Sequence, residues 1–422
     1  MATLTLTSGT LQQGSFDKIG DGFKYDELKL SKGSYVAARP YQMNSGTTIT
    51  ADPGAVITLA AGVSETLFPA MIPIFGQVTK SIEDITIENV IFDGNYLKQV
   101  VPHGKAFHNF VGLSNCSGLD IHNITVKNSM GDGARIKDSE GIKFSGNTVL
   151  GCGHDGLFTD RCDGVDAWNN TIKVRINSGL RCKGSKNVSF HNNDIQRVAA
   201  YTPASGPLIQ VENSRANETT SNVSILNNYL ANAQGPGIWA AAHTATATDS
   251  AKGLTITGNT ILNCGQLPAG QDDPSLYHAI AGISCDGWND VLIDDNYIDG
   301  NLGYGICFGP YITASAGTGY KAKVKNNTIK NTKKCYYPDG NSGTGIANLL
   351  PSKYTVELEG NIMEGNIKDF YGVFQAPPLV TEPIVEPPVS TPDTYEIVLS
   401  CSSEEDALSR LEWLKSASIR RV

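Results

Sequence analysis

The sequence lacks the features of several common classes of protein. It contains no apolar run of the ~18 residues that a transmembrane helix requires, so we expect no membrane span. Residues 1–6, Met-Ala-Thr-Leu-Thr-Leu, carry neither the positive charge nor the apolar segment of a signal peptide. We therefore expect either a mature or trimmed chain or export without a signal peptide, as for a virion component. Strongly helical segments are nearly absent before residue 400, which leaves strands and turns to build the fold.

The chain also has little charge of positive sign. Its 422 residues carry a net charge of −9, and 18% of them are charged. We predict that it binds neither nucleic acid nor an anionic membrane, because both are negatively charged. An anionic ligand would need a local basic patch. Hydrophobic residues make up 40% of the sequence, which is enough for one large domain with a continuous core.

The nine cysteines are odd in number and dispersed, and no pair has the spacing of a zinc site. Several lie within or beside apolar strand positions, as Cys182 and Cys307 do. The sequence therefore predicts buried free thiols rather than disulfides. We predict no organic cofactor.

One motif recurs through most of the chain: Ile or Val, any residue, an apolar residue, two further residues, Asn, any residue, and Ile or Val. Asn147, Asn170 and Asn193 occupy the Asn position at a spacing of 23 residues. Later copies, spaced by 31 to 37 residues, place these residues in the same position: Asn228, Asn259, Asn296, Asn327 and Asn361. Apolar residues alternate within each copy, which predicts a strand with one buried face. A strand repeat of this size indicates a solenoid of about ten coils.

The repeated Asn is predicted to be structural. We expect it to follow each strand in a left-handed turn and to bond through its amide to the Asn one coil away.

Four segments follow along the chain. Residues 1–60 are predicted as an N-terminal cap and first coil, residues 61–375 as the solenoid, and residues 376–393, with six of the 19 prolines, as a linker. Residues 394–422 are predicted to form a strand and a helix with an apolar stripe at Leu408, Leu411 and Leu414. So small an element needs a partner, so we expect it to cap the open end of the solenoid or to dock on another subunit, in a monomer or a homotrimer.

A second series of strands is predicted from segments that align with Gly133 to Lys137. Its alternation sends one set of residues inward and two columns outward, where we expect exposure. The first column contains Arg135, Phe158, Arg181, Gln210, Trp239 and Ser284; the second contains Lys137, Asp160, Lys183, Glu212, Ala241 and Asp286. Arg and Lys neutralise uronate or sulfate groups, and the aromatic rings suit sugar rings, so these columns favour an acidic polysaccharide. The second column also fits a structural ladder of ion pairs.

Three turns entering these strands add polar groups: Gly131–Gly133, His154–Gly156 and Asn177–Gly179. We attribute the last glycine of each to a tight turn. Asp132 and Asp155 lie one coil apart and are candidates to bind Ca²⁺ or to act as acid and base; turn capping is the alternative. His154, near Asp155, is a candidate catalytic residue, with turn formation as the alternative.

The motif over residues 25–375 resembles the single-stranded right-handed parallel β-helix of the pectate-lyase-like superfamily. That superfamily holds polysaccharide lyases, glycoside hydrolases, uronan C5-epimerases and phage tailspikes. The resemblance implies an all-β solenoid that acts on polysaccharides and is extracellular or virion-associated.

Two coils, at 131–137 and 154–160, are similar to the coils that carry the active site in mannuronan C5-epimerases. The second coil matches in its carboxylates, Asp155 and Asp160. The first departs, because Asp132, Arg135 and Lys137 stand where that family has Tyr, Asp and His. Lys183 is similar to the base of several β-helix polysaccharide lyases.

The sequence therefore predicts an enzyme that acts on uronans by proton abstraction. Lys183 or His154 would remove the C5 proton, and Arg181, Arg135 or a bound Ca²⁺ would stabilise the resulting charge. Elimination would make it a lyase and reprotonation an epimerase. The predicted substrate-binding residues are Arg135, Lys137, Phe158, Gln210, Glu212 and Trp239, and the predicted catalytic residues are Lys183, Arg181, His154, Asp160 and Asp155.

Two alternatives remain open. One is a glycoside hydrolase of the tailspike type that uses two of four carboxylates, Asp132, Asp155, Asp160 and Glu212. The other is a non-catalytic rod that binds glycans or serves as a structural part.

Overall fold

The computed structural model describes residues 3–6, 9–10, 26–37, 41–62, 75–77, 80–99, 109–175, 177–197, 206–213, 215, 218–242, 250–266, 280–309, 317–334 and 341–375. The predicted linker at 376–393 and the predicted strand and helix at 394–422 lie outside these residues.

Short parallel strands form three long sheets. In each coil the chain passes through the first sheet, the second and the third, and then returns to the first sheet one coil further on. Register is kept from coil to coil: Ile142 lies beside Val165, and Val165 lies beside Val188. Apolar side chains therefore stack in columns and form one continuous core along the coils.

The first sheet contains the strands of the Asn motif. Its alternation follows the sequence, since Val165 and Ala167 are buried while Asp166 and Trp168 are partly exposed. In the described part of the chain its thirteen strands are Thr3–Leu6, Glu27–Leu30, Thr48–Ala51, Ile82–Glu88, Cys116–His122, Glu140–Ser145, Asp163–Trp168, Lys186–His191, Thr220–Leu226, Ala251–Thr257, Asn289–Asp294, Tyr320–Lys325 and Tyr354–Glu359. Thirteen strands exceed the predicted ten or so coils, because the strands before residue 60 pair with the later ones without carrying the motif.

The second sheet follows each Asn turn. Its thirteen strands, counted in the described ranges, are Gly9–Thr10, Gly33–Ala37, Ala55–Leu59, Ile91–Asp93, Thr125–Lys127, Thr148–Leu150, Thr171–Val174, Asp194–Arg197, Tyr229–Ala231, Thr260–Leu262, Tyr297–Asp299, Thr328–Lys330 and Ile362–Glu364. One short 3-10 helix, Tyr96–Lys98, follows the fourth of these strands.

The third sheet is the predicted second series of strands. Among the residues described, its twelve strands are Tyr41–Gln42, Phe75–Gln77, Val111–Ser114, Ala134–Lys137, Leu157–Asp160, Leu180–Lys183, Ile209–Glu212, Ile238–Ala241, Ala281–Asp286, Tyr304–Phe308, Thr344–Asn348 and Lys368–Tyr371. The predicted all-β parallel solenoid is therefore confirmed.

The Asn column is structural, as predicted. The backbone N–H of Asn170 donates to Oδ1 of Asn193 at 3.0 Å, and its Nδ2 donates to the same oxygen at 2.8 Å and to the carbonyl of Phe144 at 2.9 Å. The predicted left-handed conformation of this Asn is wrong. It belongs to the residue before it, as at Asn169 with φ 54° and Asn192 with φ 56°, because the column Asn must turn inward to reach these buried partners.

The predicted reason for the turn glycines is also wrong. Gly133, Gly156 and Gly179 are not in the left-handed region. A Cβ on Gly156 would instead lie 2.5 Å from the carbonyl oxygen of Gly179, so this glycine is required by the close approach of successive coils.

Cysteine thiols are part of the core. Seven cysteines in the described residues are free and buried, which confirms the prediction for them; Cys335 and Cys401 lie outside those residues. Burial raises the pKa of Cys116 to about 11, so its thiol stays protonated near neutral pH. Among the residues described, no helix has the length and apolar character that crossing a membrane requires.

Candidate active site

The outer face of the third sheet carries the predicted columns in the predicted register. Arg135 lies beside Phe158, which lies beside Arg181, and the first column continues through Gln210, Trp239 and Ser284. The second column runs from Lys137 through Asp160, Lys183, Glu212 and Ala241 to Asp286. The sequence thus placed these side chains on neighbouring strands correctly.

Their predicted exposure is wrong for about half of the columns. The buried members are Phe158, Gln210, Ser284, Asp160, Glu212, Ala241 and Asp286, whereas Arg135, Lys137, Arg181, Lys183 and Trp239 are partly exposed. Longer side chains partly account for this, because they bend over their shorter neighbours on the same face.

Phe158 lies between two guanidinium groups. Cζ of Arg135 and Cζ of Arg181 each lie 4.7 Å from the centre of its ring. Because both faces of the ring attract a cation, the stack fixes the two arginines one coil to either side of Phe158. Because its two faces contact the arginines, the ring of Phe158 cannot stack on a sugar. The stacking that the sequence suggested is therefore wrong for this residue.

A buried cluster occupies the turns that precede these strands. Nδ1 of His154 lies 2.7 Å from Oδ1 of Asp132 and 2.9 Å from Oδ2 of Asp155. Each carboxylate also accepts a backbone N–H from the next coil: Oδ1 of Asp132 from Asp155 at 2.8 Å, and Oδ1 of Asp155 from Ser178 at 2.9 Å. Oδ1 of Asn109 accepts the N–H of Asp132 in the same way, at 2.8 Å. The side chains of Asp132 and Asp155 therefore cap the turns and also form part of the polar cluster.

The electrostatics of this cluster keep His154 protonated. Burial alone would lower its pKa, but the charge of Asp155 and the hydrogen bonds to Asp132 and Asp155 outweigh burial and raise the pKa to about 10. Burial would likewise raise the pKa of Asp155, and the charges of His154 and Arg181 hold it below its usual value. His154 is therefore an imidazolium at neutral pH, held beside ionised Asp155.

Ion pairs join the turn cluster to both columns. Nη1 of Arg135 lies 3.3 Å from Oδ2 of Asp132, and Nη1 of Arg181 lies 3.4 Å from Oδ2 of Asp155. Nη2 of Arg181 donates to Oε1 of Glu212 at 2.7 Å.

Glu212 is shared further. Its Oε1 is 3.6 Å from Nζ of Lys183, and its Oε2 accepts from Nε2 of Gln210 at 2.8 Å. Eight of the predicted site residues are thus linked in one network: Asp132, Arg135, His154, Asp155, Arg181, Lys183, Gln210 and Glu212.

Asp160 belongs to a second network that the sequence did not predict. Its Oδ1 accepts from Nη1 of Arg161 at 3.0 Å and from Nη1 of Arg215 at 3.3 Å. Arg161 also binds both oxygens of Asp138, at 2.6 and 2.7 Å, and Arg215 binds Glu218 at 2.5 Å. Arg161 directly follows Asp160 in a turn and could have been found there, but Arg215 lies after an irregular stretch where no pattern applies.

Two family models match parts of the chain. The one described as "Right handed beta helix region" matches residues 109–266, and the one described as "Disaggregatase related" matches residues 220–383. A comparison with curated proteins found no match. Among solved structures, the A-module of mannuronan C-5 epimerase AlgE4 from Azotobacter vinelandii is similar with a TM-score of 0.64 and 14% identity, over 86% of this chain and 94% of that chain. The A-module of AlgE6 from the same organism has a TM-score of 0.59 and 14% identity, over 87% and 94%.

The chain has a right-handed parallel β-helix fold. The predicted resemblance is thus confirmed for the fold, and at this identity the solved structures show the fold alone.

On this β-helix the charges of the site are layered by depth. Side chains of Asp132 and Asp155 are 0% exposed and that of Glu212 is 6% exposed, whereas His154 is 20% exposed and Arg181 16%. The other partly exposed charged groups of the columns, Arg135, Lys137 and Lys183, are also cations. The buried carboxylates therefore pair with cations that lie nearer the surface, and the accessible charged groups of the columns are cationic.

The turn cluster fits Ca²⁺ poorly. Asp132, His154 and Asp155 could form a three-ligand group, with one ligand atom of each within 4.8 Å of the others. Calcium prefers six to eight oxygen ligands, but here an imidazolium nitrogen lies between the two carboxylates and arginines pair with both. The calcium site stays a prediction, and no step below depends on a metal.

A large open groove lies beside the cationic face. Its volume is about 910 Å³, and it follows the turns that lead from the third sheet to the first. Asp138 and Arg161 line it and connect it to Asp160. Five acidic residues and two basic ones line it, so the groove does not itself extend the cationic surface.

Proposed function

We propose that the protein is an enzyme that acts on acidic polysaccharides by removing the C5 proton next to a sugar carboxylate, either as a lyase or as a C5-epimerase. The observation that supports this most is the layering of charge on the third sheet, where cations are accessible and carboxylates are buried. A chain of net charge −9 concentrates five cations on one face, which suits a polyanionic ligand.

The protonated state of His154 decides part of the mechanism. With a pKa of about 10 it holds a proton at neutral pH and would have to lose it before acting as a base. In the proposed reaction His154, Arg135 and Arg181 bind the sugar carboxylate. When the C5 proton leaves, negative charge moves onto that carboxylate, and fixed cations stabilise it without reorganising.

The glycoside hydrolase is less well supported. A hydrolase needs two carboxyl groups that contact the glycosidic bond or a water beside it. All four carboxylates named for this role are buried, and the side chains of Asp160 and Glu212 are 4% and 6% exposed. A non-catalytic rod that binds acidic glycans keeps the same surface and differs only in the absence of turnover.

Similar solved structures add support without deciding the activity. Two of them are modules of mannuronan C-5 epimerases, enzymes that by name act on an acidic polysaccharide. We further propose that the protein is extracellular or virion-associated and meets such a polymer there.

One experiment separates the candidates. The protein is incubated in deuterium oxide with a panel of polyuronates, and the products are followed by ultraviolet absorbance, by mass and by reducing ends. A lyase gives an unsaturated uronide that absorbs, and an epimerase gives deuterium at C5 without cleavage. Reducing ends without absorbance would support hydrolysis instead, and binding without any product would support the rod.

Two variants connect the activity to this face. Arg181→Ala and Lys183→Ala should strongly lower kcat/KM, whereas Ser145→Ala, on the outer face of the first sheet, should behave as the wild type. Full activity in both site variants would contradict the assignment. A parallel assay after treatment with a chelator tests the predicted Ca²⁺.

A further inference from the structure

The two lysines of the second column differ in their partners. Nζ of Lys183 pairs with Glu212 at 3.6 Å. Lys137 pairs with no carboxylate among the residues that the structure describes, although Asp160 lies beside it on the next strand. Asp160 is already occupied by Arg161 at 3.0 Å and by Arg215 at 3.3 Å. Within the described part of the chain, Lys137 is therefore a partly exposed amine that forms no ion pair.

The surroundings of Lys137 make its amine hold a proton less tightly than an ordinary lysine does, because they lower its pKa. Burial lowers the pKa of Lys137 first, and the charges of Arg135 and Arg161 lower it further. Asp160 and Asp138 act in the opposite sense but do not outweigh them. The preceding strand, Val111–Ser114, contributes no charged side chain. A neutral amine is the form that accepts a proton.

The position of Lys137 also fits a base. It stands two residues after Arg135 on the same face, and two residues of a strand span about 6.6 Å. Arg135 in turn contacts Phe158 and the turn cluster. A uronate whose carboxylate is bound by Arg135 can present its C5 atom, which is attached to that carboxylate, to Lys137 on the same strand face.

We propose that Lys137, rather than Lys183 or His154, is the base that removes the C5 proton. This inference rests on the proposed function. The C5–H bond breaks, its proton forms a new bond to Nζ, and its electron pair moves into the carboxylate as an enolate. In elimination that pair forms the C4–C5 double bond, the C4–O bond breaks, and the leaving oxygen takes a proton from solvent. In epimerisation C5 takes a proton from solvent on its other face, and Lys137 returns its own to solvent.

The first test compares one substitution at three positions. Lys137→Met should lower kcat by about 100-fold or more with a small change in KM, because a general base typically contributes that much. Lys183→Met should mainly raise KM, since it removes a cation from the face. Lys143→Met, on the exposed face of the first sheet, is the control and should behave as the wild type. Retention of kcat with a raised KM in Lys137→Met would show a binding role and overturn the inference.

A second test identifies the function of the amine. Added methylamine should restore part of the kcat of Lys137→Ala and none of that of Lys183→Ala, and the rescue should grow as pH rises and more free amine is present. Lys137→Arg keeps the charge but cannot release its proton, so it should remain inactive. Activity in Lys137→Arg, or no rescue of Lys137→Ala that is folded by circular dichroism, would refute the role of base.

The two proposals fail differently. A wild-type protein that neither cleaves nor exchanges any polyuronate refutes the proposed function itself. A wild-type enzyme that works while Lys137→Met keeps its kcat refutes only the identity of the base.

Discussion

The buried pair of His154 with Asp132 and Asp155 predicts that the protein loses stability in mild alkali. The pKa of His154 rises from 6.5 to about 10 on folding. A raised folded pKa gives a stabilisation that is complete below the unfolded value and disappears as pH rises through the folded value. The window of loss is therefore from about pH 6.5 to about pH 10.

The size of the effect follows from the same shift. A change of about 3.5 pH units, from 6.5 to about 10, corresponds to about 5 kcal/mol at most. The lowered pKa of Asp155 describes the same ion pair from its other partner, so it adds nothing in this window. Its own contribution is lost at the acid end, as pH falls and the carboxylate takes a proton.

This stabilisation is measured by urea unfolding of the wild type and of His154→Gln at a series of pH values. Glutamine keeps hydrogen bonding but has no charge, so the wild type should be several kcal/mol more stable near pH 6.5, and the gap should narrow steadily towards pH 10. Other groups that titrate in alkali do so in both proteins and cancel in the difference. Ser145→Ala should follow the wild type throughout. A gap that stays constant across the window would mean that His154 is not an imidazolium, and the account of the cluster would be wrong.

Three further predictions concern the frame of the β-helix. Asn170→Ala removes a buried amide that makes two side-chain hydrogen bonds and accepts the N–H of Asn147, so it should destabilise the protein by about 3 kcal/mol in urea unfolding; a loss below about 1 kcal/mol would show that the column is dispensable. Gly156→Ala places a Cβ at 2.5 Å from a carbonyl of the next coil, so its melting temperature should fall clearly, and an unchanged value would contradict the coil spacing. Ile209→Asp buries an unpaired charge in the core and should unfold several coils, seen as lost β-sheet signal in circular dichroism. Ser224→Asp, at a partly exposed outward position of the first sheet, is its control, and equal effects of the two would mean that the strand at Ile209 is misoriented.

The fold was predictable because its signal is repeated. Each Asn motif gives only weak evidence for one strand, but the same alternation in eight copies leaves few other structures possible. Partners in the third sheet followed from alignment alone, as Arg135, Phe158 and Arg181 show. The backbone conformation of single residues could not be predicted from the sequence. Asn and Gly occur both in turns and at close contacts, and the sequence does not say which of these applies at Asn170 or Gly156.

The placement of the candidate residues on neighbouring strands was predictable, and their burial was not. Alternation says which side chains leave the core, but it does not say whether a neighbour covers them. Arg135 and Arg181 are long enough to reach over Phe158, and this contact depends on side-chain rotamers. The pairing of His154 with two carboxylates has the same origin, since its ring reaches back across one coil to Asp132. Arg215, which donates to Asp160, comes from a region with no repeat to align.

The unequal lengths of the coils have a consequence for how such a surface can change. The Asn column keeps its hydrogen bonds whether 23 residues or 37 separate two of its members. In the order of the chain, the extra residues fall between a strand of the third sheet and a strand of one of the other two sheets. The turn that holds the column stays short in every copy. Insertions between the third sheet and its neighbours along the chain can therefore vary in length while the Asn column keeps its hydrogen bonds and the coils keep their register.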